Sequence, residues 1–535
     1  MTQEARDLDE LAQRARFELD CVNYPAREWV RPREADGRPV HDVVIVGGGQ
    51  NGLSLAFRLL RDRVTNIRVL DRSPSGFSGP WVTYARMHTL RTPKTVSGPE
   101  LGIAALSVRA WYETKYGREA WAALGKIPRG DWNDYLEWLR RTAGIDTTHD
   151  AEVVGIQPRD DGYLAIETRI AGTVETILAR NVVLATGIEG SGRWAVPAMI
   201  EKALPRERYA HTSEAIDFEA LRGKRVAVLG AGASAFDNAA TALEHGAASV
   251  DLFARRRALP RINPNRWIEF AGFMRHFGDL DDARRWSFMR HFLGMNQPPP
   301  QDTFERCARF DEFDLHLGSP FESVDFDGRS VRLKTPRGVF ECDFLIVGTG
   351  FVIDLANRPE TAGFADKIAL WSDRFEPAPG EADATLAGYP YLTGSFQFTE
   401  KVPGSAPWLK NIYSHTFGAM ASLGGAAGIS QLKFSTDRIA LGITRQLFLD
   451  DAGASWNRPR RSRARSSWIR RSASTAPRTM STRSRIPASP PGWTSSATNT
   501  SRSFPRRSGG CCCSCPAPRP SPTRSRPSTR RSTSA

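Results

Sequence analysis

Cysteine is scarce in the first 455 residues of this 535-residue chain, where it occurs only as Cys21, Cys307 and Cys342. No Cys-x-x-Cys pair is present in that part of the sequence. Isolated cysteines are typical of a reducing compartment, so the sequence predicts a cytoplasmic protein. A disulfide reductase needs a redox cysteine pair beside its flavin. Because no such pair is present, we rank this class of enzyme low. We expect no metal site.

Long uncharged apolar runs are also missing. No stretch of about 18 such residues occurs, so the sequence predicts no transmembrane helix and no membrane partner. The first residues, MTQEARDLDELAQRARF, lack the apolar core of a signal peptide. Residues 4–20 instead place apolar side chains at helical spacing, which predicts an N-terminal helix packed on the body.

Acidic residues and lysine are absent from residues 456–535, which contain 18 arginines. Residues 1–455 therefore carry 55 basic and 59 acidic residues, a net charge of −4. The segment is rich in Ser, Arg, Pro and Thr without periodicity, a composition that predicts a disordered tail. A nucleic-acid-binding arm, a solvating extension and out-of-frame translation of a GC-rich gene all explain it. We favour the third, because selected basic arms often include lysine or interleaved aromatics.

A strand-turn-helix pattern is present at Val43 to Leu53, VVIVGGGQNGL. Gly47 allows a tight turn, Gly49 lets the backbone approach a pyrophosphate, and Gly52 lets helix and strand pack closely. The next predicted strand ends in Asp71, nineteen residues beyond Gly52, where a carboxylate can bind ribose hydroxyls. This unit predicts a site for an adenosine cofactor without a 2′-phosphate.

A second unit of the same kind lies at Arg225 to Ala240, RVAVLGAGASAFDNAA. It has Gly230 and Gly232, with Ala235 at the third position, a replacement that the fingerprint allows. Together with Ser234, these glycines are candidate cofactor contacts. The pattern predicts a second dinucleotide site.

The strand of this second unit ends in arginines where the first ends in Asp71. Arg255 and Arg256 are the candidates for binding the 2′-phosphate of NADP, because a guanidinium group can bind a phosphate with two hydrogen bonds. The alternative is that residues 255–257 form only a solvated basic face. The two units together favour FAD at the first site and NADPH at the second.

With both motifs, residues 40 to 450 resemble the class B flavoprotein monooxygenases, which include flavin-containing, Baeyer–Villiger and N-hydroxylating enzymes. The likeness rests also on Gly79-Pro80-Trp81, Ala185-Thr186-Gly187, His211-Thr212-Ser213-Glu214 and the DFLIVGTGF segment at Asp343 to Phe351. It implies an α/β fold of two Rossmann-like domains, with the NADPH domain inserted in the FAD domain. The expected division is an N-terminal helical extension (1–40), the FAD domain in two parts (41–190 and 343–455), the NAD(P)H domain with a helical insertion (191–342), and the tail (456–535).

The resemblance also implies individual site residues. Trp81 and Thr92 are expected near the flavin, with plain core packing as the alternative for Trp81. Thr186, Gly187 and Gly350 are expected beside the cofactors. His211 is a candidate positioning residue, with a purely structural role as the alternative. No catalytic side chain is assigned, because the flavin accepts hydride from NADPH and traps dioxygen as a C4a-hydroperoxide in such enzymes.

The reaction type is less defined by the sequence than the cofactors. Around His211 the Baeyer–Villiger fingerprint is absent, since Glu207 takes its glycine position and Ala215 its aromatic position. N-hydroxylation of a small organic substrate is therefore slightly favoured, although Gly348 and Phe351 replace the usual Ala and Tyr of that group. The alternatives are an NAD(P)H-dependent flavin reductase with a non-oxygen acceptor and, ranked low, a nucleic-acid binder that uses the basic tail.

Overall fold

The computed structural model describes residues 3–22, 27–96, 98–425 and 428–456. Residues 457–535 of the predicted disordered tail therefore lie outside the described residues, whereas its first residue, Trp456, ends α15. The strands are β1 (Arg33–Ala35), β2 (Arg38–Val46), β3 (Ile67–Leu70), β4 (Thr147–Thr148), β5 (Ala151–Pro158), β6 (Leu164–Ile170), β7 (Thr173–Leu184), β8 (Gly192–Trp194), β9 (Tyr209–His211), β10 (Arg225–Leu229), β11 (Ser249–Ala254), β12 (Phe313–Leu317), β13 (Ser323–Phe326), β14 (Val331–Thr335), β15 (Gly338–Cys342), β16 (Phe344–Val347), β17 (Phe351–Ile353) and β18 (Ile412–Ser414).

Helices cover both sheets and fill the long connections. They are α1 (Gln3–Cys21), α2 (Gln50–Arg61), α3 (Val108–Tyr116), α4 (Arg118–Ala123), α5 (Arg129–Thr142), α6 (Ala198–Ala203), α7 (Ala233–Glu244), α8 (Pro264–Ile268), α9 (Ala271–His276), α10 (Asp282–Met295), α11 (Gln301–Ala308), α12 (Pro359–Ala362), α13 (Ala384–Ala387), α14 (Met420–Leu423) and α15 (Leu432–Trp456). Within the described ranges, no helix is long and apolar enough to cross a membrane.

The first sheet has eight strands in the order β4-β3-β2-β7-β6-β5, with β1 on β2 and β18 on β7. Its centre is parallel: Val44 of β2 lies between Arg68 of β3 and Val182 of β7. Val43 to Val46 are all buried, which explains why β2 reads as a continuous apolar run. On one face, α15 packs on α2, and Thr436 donates a hydrogen bond to Ser54 (3.2 Å).

One strand of this sheet has two different sets of partners. Strand β7 runs unbroken from Thr173 to Leu184. Its first half pairs antiparallel with β6, and its second half pairs parallel with β2 and β18. The hairpin partner and the parallel partners therefore share one strand.

The second sheet is entirely parallel, in the order β12-β11-β10-β16-β9. Phe236 and Ala239 of α7 pack on one face against Val226 and Val228. The small antiparallel sheet β13-β14-β15 covers the other face. With the first sheet, this architecture confirms the predicted α/β fold of two Rossmann-like domains.

The two sheets are connected by two short strands that pair with each other. Strand β8 leaves the first sheet, β17 returns to it, and Trp194 lies opposite Phe351 in this antiparallel ribbon. In the DFLIVGTGF segment, β16 ends in the turn at residues 348–350, and β17 begins directly after it. At Gly192 an added β-carbon would collide with the carbonyl oxygen of Val352, so this position requires glycine.

The helical insertion expected in the NAD(P)H domain consists of α8 to α11, within residues 264–308. Its aromatic side chains do not pack only within their own domain. Trp286 of α10 lies 5.9 Å from Trp371, ring centre to ring centre, and both indoles are buried. The insertion therefore bridges to the second part of the first domain.

Candidate active site

A cleft of about 1090 Å³ lies between the two sheets. The carboxyl ends of β2, β7, β10 and β16 meet there, which is where open α/β sheets bind ligands. Both glycine-rich turns contribute to its wall, as do the turns that follow β7 and β16. The cleft-lining residues among those predicted from the sequence are Gly47, Gly49, Asp71, Trp81, Thr92, Thr186, Gly187, Gly232, Ser234, Arg256 and Gly350.

The glycines of the first turn have two different roles: Gly47 and Gly52 allow close packing, and Gly49 lines the cleft. Gly47 has φ = +106°, and an added β-carbon there would collide with the carbonyl of Ala185 at the end of β7. At Gly52 the collision would be with the carbonyl of Gly47. Gly49 is the N-cap of α2 and lines the cleft. The backbone N–H groups at the start of α2 therefore face the cavity, a geometry that suits a phosphate.

Asp71 lies beside this turn with its side chain almost fully buried. One carboxylate oxygen accepts a hydrogen bond from the backbone N–H of Gly48, and the other from that of Ser73, both at 2.8 Å. These bonds fix the carboxylate at the end of β3, at the edge of the cleft. The position matches that of an acid that binds ribose hydroxyls.

Trp81 presents an unsatisfied donor next to the same turn. Its indole Nε1 is buried and has no hydrogen-bond partner in the described part of the chain. It lies next to Gly79, which in turn lies across from Gly49, where an added β-carbon would be 3.9 Å from the α-carbon of Gly79. Buried N–H groups normally have an acceptor. The indole is therefore suited to donate to a ligand held at the first turn.

The second turn repeats the first. Gly230 has φ = +126°, and an added β-carbon would collide with the carbonyl of Gly348. Gly232 is the N-cap of α7 and has open space around it. Ser234, in the first turn of α7, also lines the cleft. A second phosphate-binding geometry thus faces the same cavity.

The two arginines that follow β11 point to different sides. The side chain of Arg256 is half-buried and lines the cleft, whereas Arg255 is exposed and lies outside the cleft wall. Arg256 has no carboxylate within ion-pair distance among residues 3–456 that are described. Of the two candidates, it is the one placed to meet an anionic group.

His211 lies behind the cleft wall, at the end of β9, with only 1% of its surface exposed. Its Nδ1 is 2.8 Å from the hydroxyl of Ser213, and its ring packs against Trp194 at 5.2 Å. Burial lowers the pKa of His211, while the charge of Glu214 and the carbonyl of Gly350 raise it. Ser213 and Trp194 line the cleft, so the imidazole supports the wall and does not form it.

The structure brings in residues that sequence reasoning did not assign. Arg91 and Asp237 form an ion pair of 2.6 Å at the cleft, one from each sheet's domain. The insertion adds polar side chains to the wall, namely those of Asn263, Asn265, Arg266, Glu269 and Gln297. A signal for Asp237 was available, since it stands with other polar residues on one face of an otherwise apolar helix. Nothing in the sequence ties the insertion to the cleft.

Cysteine and metal chemistry find no support in the described residues. Their three cysteines are free, and burial raises the pKa of the Cys307 and Cys342 thiols to about 12. A thiol with so high a pKa is a poor nucleophile at neutral pH. No group of three or more His, Cys, Asp or Glu side chains in these ranges suits a metal ion.

Residues 41–368 match the family model described as pyridine nucleotide-disulphide oxidoreductase. The chain is 44% identical over 448 residues to the FAD-dependent urate hydroxylase of Xanthomonas campestris pv. campestris. That match covers 84% of this chain and 94% of the relative. The similarity thus includes both glycine-rich turns and the insertion.

Solved structures share the fold at low sequence identity. An ornithine hydroxylase from Pseudomonas aeruginosa matches with a TM-score of 0.61 and 18% identity, over 76% of this chain and all of that one. The L-lysine 6-monooxygenase of Pseudomonas syringae matches with a TM-score of 0.57 and 20% identity, over 76% of this chain and 99% of that one. The match to the family model and the 44% identity to the urate hydroxylase confirm the predicted family. The chain belongs to the pyridine nucleotide-disulphide oxidoreductase family and, within it, to the flavoprotein monooxygenases.

Proposed function

We propose that the protein is an FAD-dependent hydroxylase that uses NADPH and dioxygen to hydroxylate urate or a closely similar polar heterocycle. The observation that carries the proposal is the pair of phosphate-binding turns facing one cleft, with Asp71 beside one and Arg256 beside the other. The 44% identity to a urate hydroxylase supports the substrate class. Uric acid and its relatives are small, planar and rich in carbonyl and N–H groups.

The first turn fits FAD. Its pyrophosphate would be held by the N-terminus of α2, and the carboxylate of Asp71 would accept hydrogen bonds from the adenosine ribose. The buried indole N–H of Trp81 supplies a further donor. When bound, the flavin supplies hydride acceptance and oxygen activation, which no side chain of the protein provides.

The second turn fits NADPH. Gly232 leaves room for a pyrophosphate at the N-terminus of α7, and Arg256 can bind a 2′-phosphate in the cleft. The two turns belong to different domains but open into the same cavity. The protein's contribution to hydride transfer is to hold both dinucleotides there at once.

The insertion supplies a wall suited to the substrate. Asn263, Asn265 and Gln297 offer amide donors and acceptors, and Arg266 offers a guanidinium group. Arg266 donates to the carbonyl of Arg91 (3.4 Å), so it lies close to the segment from the first domain. Such groups can bind the edge of a polar ring while the cleft keeps water from it.

N-hydroxylation of a primary amine remains the second candidate. It rests on the sequence His211-Thr212-Ser213-Glu214, whose Thr212 and Ser213 line the cleft. A flavin reductase with a different acceptor is the third. The first two functions differ in the compound that is hydroxylated while NADPH and oxygen are consumed, and the third hydroxylates no compound. One assay therefore separates all three.

The test is to purify the protein, record its flavin spectrum, and measure NADPH oxidation and oxygen uptake with urate, ornithine or lysine. A urate hydroxylase consumes one NADPH and one dioxygen per urate, with one oxygen atom in the product and the other in water. Stoichiometric hydroxylation of an amine would replace urate by the second candidate. NADPH oxidation without any hydroxylated product favours the reductase, and a protein that binds no flavin contradicts all three.

A further inference from the structure

Helix α7 carries a stripe of polar side chains on a face that does not contact its own sheet. Asp237, Thr241 and Glu244 follow one another at single-turn spacing, and one guanidinium group, that of Arg306 in α11, contacts all three. It makes two hydrogen bonds to Glu244, at 3.0 and 2.8 Å, and lies 3.3 Å from Thr241 and 3.4 Å from Asp237. Arg306 is 10% exposed, so the arrangement is buried.

A segment of the first domain crosses this stripe. Arg91 forms its ion pair with Asp237 at 2.6 Å, and His88 lies 3.3 Å from Glu244. In addition, the backbone carbonyl of Arg86 accepts a hydrogen bond from Arg306 of α11 (3.2 Å). The segment from residue 86 to residue 91 therefore runs along α7 and contacts it through His88 and Arg91.

Asp237 is the centre of these contacts. Its side chain is 3% exposed, and its two carboxylate oxygens accept hydrogen bonds from residues of different domains. One oxygen binds Arg91 of the first domain, while the other accepts from Thr303 (3.0 Å) and Arg306 of the inserted domain. A buried carboxylate so divided holds its partners firmly, because removing one leaves a charge without compensation.

The position of Asp237 relates this contact to the dinucleotide site. It stands three residues after Ser234 in the same helix, and both Asp237 and Arg91 line the cleft. The β8–β17 ribbon joins the two domains, and α10 packs on the second part of the first domain through Trp286 and Trp371. The contact at α7 is a further attachment, and it acts on the helix that begins at the second glycine-rich turn.

We propose that Asp237 is a positioning residue, which through Arg91 and Arg306 fixes the inserted domain so that its dinucleotide meets the cofactor of the first domain. The inference rests on the proposed function for the identity of the two cofactors, but not for the contact itself. Hydride transfer requires reacting atoms about 3 to 3.5 Å apart, so a small rotation of one domain slows it steeply. The expected effect is on the reduction step and not on the affinity for NADPH.

The first test uses the ligand-free protein and hydrogen exchange measured by mass spectrometry. Asp237→Asn should raise exchange in residues 86–96 and 233–244, and Arg91→Gln, at a half-exposed position on the other domain, should do the same. Asp251→Asn is the matched control, because Asp251 pairs with His316 (2.7 Å) within the inserted domain alone. Unchanged exchange in both segments in both variants would overturn the proposal.

The second test measures flavin reduction by NADPH under anaerobic conditions. We expect Asp237→Asn to slow reduction at least about tenfold with the dissociation constant of NADP⁺ changed less than about threefold. Reduction by dithionite should keep its rate, and the double variant with Arg91→Gln should be no slower than either single one. Reduction at the wild-type rate would overturn the proposal. A wild-type protein without flavin would refute the proposed function, and hydrogen exchange alone would then decide whether Asp237 joins the domains.

Discussion

The β-carbon of Ala235 fills the space beside the α-carbon of Gly348. A methyl group added to Gly348 would lie 2.7 Å from this β-carbon. Ala235 is the third residue of the second glycine-rich fingerprint, and Gly348 begins the turn after β16. In the first unit the assignment is reversed, with Gly52 on the helix and Ala185 after the strand. Each unit thus has one methyl group between helix and strand end, on opposite sides. This explains why Gly348 departs from the alanine usual in the family motif.

Gly348→Ala is expected to destabilise the inserted domain. The added methyl group overpacks the contact, which costs typically about 1–3 kcal/mol. The double variant Ala235→Gly/Gly348→Ala should recover most of the lost stability, because it recreates the arrangement of the first unit. Thermal unfolding of the two variants measures this. A double variant less stable than Gly348→Ala would show that the two positions are not complementary.

Gly192→Ala should disrupt the ribbon between the domains. The new β-carbon would collide with the carbonyl of Val352, which no side-chain movement relieves. We expect a lower unfolding temperature and a loss of soluble protein. Gly294→Ala in α10 is the control, because open space surrounds that glycine and alanine favours helices. Equal stability of the two variants would contradict the requirement for glycine.

Arg256→Gln should lower the preference for NADPH over NADH. In the proposed NADPH site the guanidinium group binds the 2′-phosphate, and a hydrogen bond to a charged group contributes about 1.5–3 kcal/mol, equivalent to about tenfold or more in kcat/KM. The value for NADH should stay nearly constant. Arg255→Gln, at the exposed neighbouring position, is the control and should change neither. If Arg255→Gln has the larger effect, the 2′-phosphate lies outside the cleft.

Asp42, at the buried end of the first sheet, should make stability depend on pH. Burial raises the pKa of its carboxyl from 3.8 to about 6, against the charge of Arg180, which lowers it. The folded protein therefore holds this proton more tightly than the unfolded chain. The resulting stabilisation is complete below pH 3.8 and is lost as the pH rises through about 6.

Asp42→Asn should remove this dependence, because the amide resembles the neutral acid. Relative to the wild type, the variant is expected to gain up to about 3 kcal/mol in unfolding free energy between pH 4 and pH 7. Chemical denaturation at several pH values measures the difference. A difference that stays constant with pH would show that the carboxyl titrates at its ordinary pKa.

Deleting residues 457–535 should leave the unfolding temperature and the flavin content unchanged. The last described helix, α15, is tied to the first sheet before that segment begins, since Asp451 accepts from the backbone of Arg31 (3.2 Å) and pairs with Arg33. Asp451→Asn should weaken this anchor and is the positive control. A deletion that lowers stability as much as Asp451→Asn contradicts the expectation. A deletion that abolishes nucleic-acid binding would support the low-ranked alternative.

The sequence predicted those parts of the site that depend on local geometry. Each glycine fingerprint specifies a turn that only a few residues can make, so Gly47 and Gly230 were found with their left-handed conformations. Asp71 followed from a fixed spacing along one βαβ unit. In contrast, the choice between Arg255 and Arg256 depends on the direction of a single side chain after β11, which spacing does not determine.

Residues joined by long-range packing were not predictable in the same way. Asp237 meets Arg91 and Arg306 because the insertion folds back along α7, and that path is set by aromatic contacts such as Trp286 with Trp371. The polar stripe on α7 indicates that another segment covers the helix, but it does not identify that segment. Likewise, the length of β7 was not predictable, because its two halves pair with different strands. Strand pairing depends on the whole sheet and cannot be read from one strand.

The ribbon of β8 and β17 has a consequence for the order in which the chain folds during synthesis. Its strands bring the two ends of the inserted domain together, with the N–H of Ala195 donating to the carbonyl of Gly350 (2.9 Å). A domain whose two chain ends lie close together can fold as a unit once its last residue has been synthesised. The first sheet must wait for β18, which pairs with β7 more than 200 residues later in the chain. We therefore expect the inserted domain to fold before the first sheet is complete.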